Sequence, residues 1–137
     1  MHKSIQILFL LMLSIMVFPT WAAEDPPEAA KAIYFEIADP FTINFISQSN
    51  QQAHYLQIKV TLMAHDQEII TKAELNLPMI QDALRTLFSR QTFEGVSSVE
   101  GRKALQTDSL GRLKTILKEE TGKDNLDAVY FTSFVLQ

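Results

Sequence analysis

The feature that most constrains the fold is a strict alternation of side chains between Tyr55 and Met63. Every second position is apolar, and these positions are Leu56, Ile58, Val60 and Leu62. The positions between them are Tyr55, Gln57, Lys59 and Thr61. Because successive side chains of a strand point to opposite faces of a sheet, the pattern predicts a strand with one packed face and one face turned to solvent or to a partner.

Two further segments have the composition of strands. Between Ile33 and Phe45 apolar residues also alternate, but Asp39-Pro40 interrupts them, which predicts a strand with a bend or break at the proline. The last segment, Val129 to Leu136, carries apolar residues at both odd and even positions. This pattern predicts a central strand, flanked by another strand and covered on more than one side.

Local signals between these segments predict helices. Asp66 is a plausible N-cap for a helix that runs to about Asn76, and Pro78 either kinks this helix or starts a new one. The next helix is indicated by an apolar stripe with helical spacing. The stripe consists of Ile80, Ala83, Leu84, Leu87 and Phe88. Residues 92–96 are predicted to form a loop.

A third helix is predicted from Ser97, where Ser97 and Glu100 have the spacing of a capping box, to Gly122, which suits the left-handed residue after a helix. Gly101 and Gly111 are unfavourable inside a helix and leave open whether it is unbroken. Strands and helices in this order predict a small α+β single domain, with helices packed on an antiparallel or mixed sheet.

The first 23 residues have the pattern of an export signal or a membrane anchor. Lys3 precedes an apolar run from Ile5 to Phe18, and cleavage before Ala23 would place small residues at the positions that signal peptidase recognises. The segment is also long enough, at about 20 residues, to remain as a membrane helix at residues 4–23. Both alternatives place the rest of the chain across a membrane from the cytoplasm. An acidic, proline-rich linker at residues 24–30 then precedes a folded domain at residues 31–137.

Composition excludes several classes of partner and site. Removal of the first 23 residues takes away Lys3 and moves the formal net charge from −4 to −5, so nucleic acid is a poor partner. The chain contains no cysteine, which excludes disulfides and thiolate metal sites. His54 and His65 lie at opposite ends of a predicted strand, roughly 30 Å or more apart at ~3.3 Å per residue, too far to share a metal ion.

No recognisable catalytic motif is present, so the sequence predicts no catalytic residue, no cofactor and no metal. A hydrolase with an unfamiliar site would need a cleft holding carboxylates of shifted pKa. Four residues are instead predicted to contact partners. Tyr55 and Lys59 lie on the polar face of the alternating strand, Phe93 lies in the predicted loop, and Tyr130 lies in the last strand, where aromatic residues are more typical of a core.

Five segments, in order, resemble the periplasmic domain of the flagellar basal-body-associated FliL family. They are residues 41–45 (FTINF), 54–62 (HYLQIKVTL), 78–83 (PMIQDA), 100–105 (EGRKAL) and 129–137 (VYFTSFVLQ). The resemblance implies a fold similar to the stomatin and prohibitin domain, without enzymatic activity or cofactor.

The resemblance also implies partners. Such a domain is expected to form a homo-oligomer at the inner membrane, around the stator units of the motor and near the basal body, and to support torque and motility. Family members usually carry a longer cytoplasmic segment before the membrane helix, so tethering of this chain stays open. The alternative function is a general periplasmic adaptor domain of another envelope complex.

Overall fold

The long strand β3 (Tyr55–Ala64) organises the sheet, because every other strand pairs with it. The computed structural model describes residues 30–45 and 53–137. The predicted signal or anchor at residues 1–23 and nearly all of the predicted linker therefore lie outside the described residues. The remaining strands are β1 (Ile33–Glu36), β2 (Phe41–Asn44) and β4 (Ala128–Leu136). The helices of the described residues are α1 (Gln67–Leu75), α2 (Leu77–Ser89), α3 (Phe93–Ser97) and α4 (Val99–Thr121).

All strand pairs are antiparallel, so the predicted α+β class is confirmed and the sheet is not mixed. Strands β1 and β2 follow each other along one edge of β3, with Ile33 opposite Ala64 and Phe41 opposite Ile58. Residues 37–40 lie between the two strands and belong to neither, which confirms the interruption predicted at Pro40. The comparison with the stomatin-type fold stays a prediction.

The prediction that the last strand is central is wrong. Strand β4 pairs along the other edge of β3, and among the described residues it has no second strand beside it. Its apolar residues on both faces do not indicate burial on both faces, because Tyr130 and Val135 point away from the helices and are each 38% exposed. The central strand is β3, whose two edges are both occupied.

The helices cover one face of the sheet. The four alternating apolar residues of β3, from Leu56 to Leu62, are 0% exposed and join a core with residues of α1, α2 and α4. Edge-to-face aromatic contacts connect the layers, since the Phe88 ring of α2 lies 5.3 Å from Phe41 of β2 and 5.7 Å from Phe131 of β4. The predicted stripe of α2 is confirmed, with Leu87 only partly buried.

The first two helices begin as the sequence predicts. The Asp66 side chain accepts a hydrogen bond from the Glu68 amide at 2.8 Å, which confirms the cap of α1. Pro78 is the second residue of α2, where a missing amide hydrogen costs nothing, so it starts a new helix and does not kink the first. No helix within residues 30–45 and 53–137 combines the length and the hydropathy needed to cross a bilayer.

The loop predicted at residues 92–96 is instead the start of α3, where Thr92 accepts a hydrogen bond from the Gly95 amide. The capping box predicted at Ser97 is also wrong by one residue. Ser98 caps α4 by accepting from the Gly101 amide, whereas the Ser97 hydroxyl donates to the carbonyl of Phe93 in α3. Ser97 is thus the last residue of the short helix α3, and Ser98 caps α4 in its place.

Helix α4 is unbroken, contrary to the doubt raised by its glycines. Gly101 is required by a close approach, because a Cβ atom there would lie 1.8 Å from the carbonyl oxygen of Gly95. The helix ends at Gly122, whose φ of 77° is the left-handed conformation that glycine adopts without strain. The C-terminal boundary of the predicted third helix is therefore confirmed.

Candidate partner-binding surface

The sheet face that the helices leave uncovered is the candidate surface, and we call it the outer face. It is built from the side chains that alternate with the core residues of the four strands. In β3 these are Tyr55, Gln57, Lys59, Thr61 and Met63, and the register places β1, β2 and β4 residues beside them. Because the core side chains of β3 all point to the helices, its remaining side chains have no covering layer among the described residues.

An aromatic patch lies at one end of the outer face. The Tyr34 ring of β1 and the Tyr130 ring of β4 lie 6.4 Å apart, on opposite sides of β3. Tyr34 is 62% exposed, although tyrosine has a large apolar ring. Thr61, which lies between Glu36 and Tyr130 in the register, is only 7% exposed. The two tyrosine rings thus present an accessible apolar surface above a polar floor.

Polar contacts fix the rest of the outer face. The Lys59 ammonium lies 3.7 Å from a carboxylate oxygen of Glu36, and both side chains are about half exposed. The Tyr55 hydroxyl donates to the Gln137 side chain at 2.6 Å, which ties β3 to the end of the chain. With these contacts Tyr55 is 42% exposed. The arrangement can bind a protein surface through rings, an ion pair and hydroxyl groups.

Three of the four predicted contact residues lie together on this face. Tyr55, Lys59 and Tyr130 share it, whereas Phe93 lies in α3 and packs against the rings of Phe45 and His54, at 6.1 and 4.2 Å. Phe93 is therefore not an exposed aromatic residue in a loop, as the sequence suggested. Its role as a partner contact stays a prediction, as do those of the other three.

Sequence reasoning missed Tyr34, the most exposed of the three tyrosines. The signal was present, because Tyr34 alternates with Ile33 and Phe35, which the pattern assigns to the packed side. The contact between the rings of Tyr34 and Tyr130 could not be predicted from the sequence. It depends on the register across β3, which shifts between Lys59 and Val60.

The two histidines of the described residues, His54 and His65, lie in structural contacts. A ring nitrogen of His65 and its backbone amide both lie within hydrogen-bonding distance of the Asp127 carboxylate, at 2.8 and 2.9 Å. These hydrogen bonds hold the pKa of Asp127 below its usual value. Within the described part of the chain, no three His, Cys, Asp or Glu residues are grouped so that they could hold a metal ion.

A second polar cluster joins α1 to the segment before β4. Asn125 donates to the Asp66 carboxylate, and this hydrogen bond is the main reason that the pKa of Asp66 is lowered. Lys123 donates to Glu68, which lowers the pKa of Glu68 and raises that of Lys123. These shifts come from exposed hydrogen bonds and ion pairs that hold elements together, as expected for structural contacts.

The helical layer carries a groove between α2 and α4 with a volume of about 580 Å³. Its floor is formed by apolar residues such as Ala83 and Ile116, and its rims carry both acidic and basic side chains. None of the carboxylates with a shifted pKa lines this groove.

Comparisons with known proteins agree on one family. The family described as "Flagellar basal body-associated protein FliL" matches residues 34–137. The flagellar protein FliL of Aquifex aeolicus (strain VF5) is 31% identical over 112 residues, which are 82% of this chain and 65% of that protein. The flagellar protein FliL of Escherichia coli (strain K12) is 29% identical over 103 residues, 75% of this chain and 64% of that protein. The chain thus spans just under two thirds of the length of these relatives.

Proposed function

Since the chain belongs to the family of flagellar basal body-associated FliL proteins, we propose that it is a non-enzymatic accessory of the bacterial flagellar motor. In this role it binds stator and basal-body proteins and supports torque and motility. The domain at residues 31–137 acts in the periplasm, delivered or anchored by residues 1–23 through the linker at residues 24–30. It works by protein contacts, in a homo-oligomer.

The observation that carries this proposal is the outer face of the sheet. Protein interfaces are enriched in tyrosine, whose large ring buries much apolar area and loses little conformational entropy. Here Tyr34, Tyr55 and Tyr130 are 62%, 42% and 38% exposed on one face, and the Lys59–Glu36 pair lies among them. A face of this composition supports binding to another protein more than it supports binding to a small molecule, which needs a concave pocket.

The test replaces Tyr130 by serine in the full chain. Tyr130→Ser removes the ring that contacts Tyr34 and leaves the helical core intact, so we expect a loss of stability of about 1 kcal/mol, below that of a core truncation. Capture of stator and basal-body proteins from envelope extracts should fall several-fold. Swimming under high viscous load should be impaired, because load demands torque.

The control is Leu75→Ser, which changes an apolar residue that is 77% exposed on α1, and so more accessible than Tyr130, away from the outer face. It should leave capture and swimming unchanged. Normal motility of Tyr130→Ser under load, with stator proteins still captured, would overturn the assignment of the outer face. Capture by the unaltered protein of other envelope proteins, without flagellar ones, would favour the adaptor alternative.

A further inference from the structure

A groove runs between α4 and the outer edge of β4, and we call it the β4 groove. Its larger part has a volume of about 330 Å³ and is lined by Val99, Arg102, Lys103, Gln106, Phe131 and Phe134. A second part of about 210 Å³ shares Lys103 and Gln106 and continues to Val129. Within residues 30–45 and 53–137, β4 pairs only with β3, so the groove follows an edge that no other strand covers.

The β4 groove is cationic, although the protein is acidic. Arg102 and Lys103 line it and no acidic residue does, in a chain whose formal net charge is −4. The groove between α2 and α4 differs, because Asp82 and Glu119 lie there beside its arginines. Charge complementarity therefore indicates an anionic occupant for the β4 groove and gives no sign for the other.

The groove is also aromatic and partly preorganised. The rings of Phe131 and Phe134 lie 6.0 Å apart, and the Arg102 guanidinium lies 5.3 Å from the centre of the Phe134 ring. Arg102 is held there by donating to the carbonyls of Ser97 and Ser98. Aromatic grooves of this kind bind proline-rich segments, which need no further ordering because their backbone is already restrained.

The chain itself contains a segment with the required chemistry. Residues 24–28 read Glu-Asp-Pro-Pro-Glu, with three carboxylates around two prolines. The prolines are suited to pack against the two phenylalanine rings, and the carboxylates are suited to form ion pairs with Arg102 and Lys103. Because a proline has no amide hydrogen, such a segment suits a groove that offers rings and cations more than a strand ladder.

The segment is within reach of the groove. Ile33, the first residue of β1, lies opposite Ala64, and Ala128, the first residue of β4, lies opposite Met63. The two strand starts are thus at the same end of the sheet, about 10 Å apart at ~4.8 Å per strand spacing. Four residues separate Glu28 from Ile33, and an extended chain spans up to ~3.5 Å per residue, which suffices to reach the near end of the groove.

We propose that residues 24–28 dock in the β4 groove of their own chain, with the prolines against Phe131 and Phe134 and the carboxylates beside Arg102 and Lys103. The docked segment covers the open edge of β4, which would otherwise be a template for unwanted pairing. It also fixes the position at which the chain enters the domain. This inference does not depend on the proposed motor function.

Disulfide trapping in the full chain tests the docking, because the protein contains no cysteine of its own. The test pair is Ala29→Cys with Thr107→Cys, since Thr107 is an exposed α4 residue that lines the near part of the groove. The control pair is Ala29→Cys with Thr71→Cys. Thr71 is an exposed threonine of α1, a helix that packs against β1, and both hydroxyls donate to the carbonyl four residues earlier.

Mild oxidation should close the test pair within one chain on the order of tenfold faster than the control pair, because docking raises the effective concentration of the two thiols. Changing Glu24, Asp25 and Glu28 to glutamine, asparagine and glutamine in the test pair should reduce its rate to that of the control. Reactions are resolved on non-reducing gels, where an internal disulfide and a covalent dimer migrate differently.

Three results would overturn the proposal. Equal rates for the two pairs would mean that the segment is tethered without docking. An unchanged rate after removal of the three charges would exclude the cationic groove as its site. A covalent dimer in place of the internal disulfide would assign the groove to a second copy. Each result leaves the motor assignment untouched, since capture and motility test that separately.

Discussion

The two faces of the sheet use the same strands for different purposes. On the inner face, the alternating apolar residues of β3 are 0% exposed beneath the helices. On the outer face, the intervening residues include tyrosines and an exposed ion pair, with Thr61 as the buried exception. Strand β3 therefore supplies residues to both the core and the candidate binding surface, and the two sets alternate along the strand.

The difference teaches how the two kinds of position should respond to substitution. An inner-face position, or the helix residue that covers it, contributes through packing, so truncation should lower the free energy of unfolding. An outer-face position contributes little to stability but is accessible to a partner. Substitutions that separate stability from partner capture can therefore break or sharpen the distinction between the faces.

The largest expected effect is at Leu113, which is 0% exposed in α4 above the inner face. Leu113→Ala should cost about 2 to 4 kcal/mol, through the lost burial and the cavity left behind. For a domain of this size each 1 kcal/mol lowers Tm by roughly 4–8 °C, which thermal unfolding followed by circular dichroism would detect.

The matched control for Leu113→Ala is Leu75→Ala, the same substitution at a leucine that is 77% exposed. It should change the free energy of unfolding by less than about 0.5 kcal/mol. Equal destabilisation by the two variants would mean that α4 does not cover the inner face as described.

Features set by neighbours along the chain were predictable from the sequence. The cap at Asp66, the start of α2 next to Pro78 and the end of α4 before Gly122 each depend on a few consecutive residues. The fold class followed from them, and the alternation of β3 correctly separated the inner face from the outer face. For the candidate surface, this alternation alone placed Tyr55 and Lys59 on an uncovered side.

Features set by distant parts of the chain were not predictable. Strand β4 looked central because it carries apolar residues on both faces. Among the described residues, however, it pairs only with β3 and lies at an edge of the sheet. Gly101 looked like a weak point of α4, but it accommodates the close approach of Gly95. The contact between Tyr34 and Tyr130 likewise requires three strands in register.

A smaller effect is expected at the end of the sheet where β3 and β4 are joined by His65 and Asp127. Because hydrogen bonds from His65 lower the pKa of Asp127 in the folded state, the ionised carboxylate stabilises the fold above its ordinary value of 3.8. That contribution is lost as the pH falls through the lowered folded pKa. The Tm difference between the unaltered protein and Asp127→Asn should therefore be largest near neutral pH and shrink below about pH 4.

Thermal unfolding at a series of pH values measures this difference. Asp108→Asn, at an exposed aspartate of α4, is the control and should show no comparable narrowing between neutral and acidic pH. A gap for Asp127→Asn that stays constant, or widens, as the pH falls would contradict the assigned stabilisation. In that case the contact between His65 and Asp127 would not stabilise this end of the sheet.

The smallest effect on stability is expected on the outer face itself. Lys59 and Glu36 are about half exposed and 3.7 Å apart, and such pairs contribute about 0 to 1 kcal/mol because water and salt screen them. Lys59→Met should therefore leave the free energy of unfolding nearly unchanged, and 0.5 M salt should abolish even that difference.

Capture of flagellar partners should nevertheless fall, because the cation is lost from the proposed surface. The matched variant Glu36→Gln separates loss of the pair from loss of the cation. If Lys59→Met destabilises the domain as strongly as Leu113→Ala, the outer face is part of the structural core, and its exposed ion pair is not available to a partner.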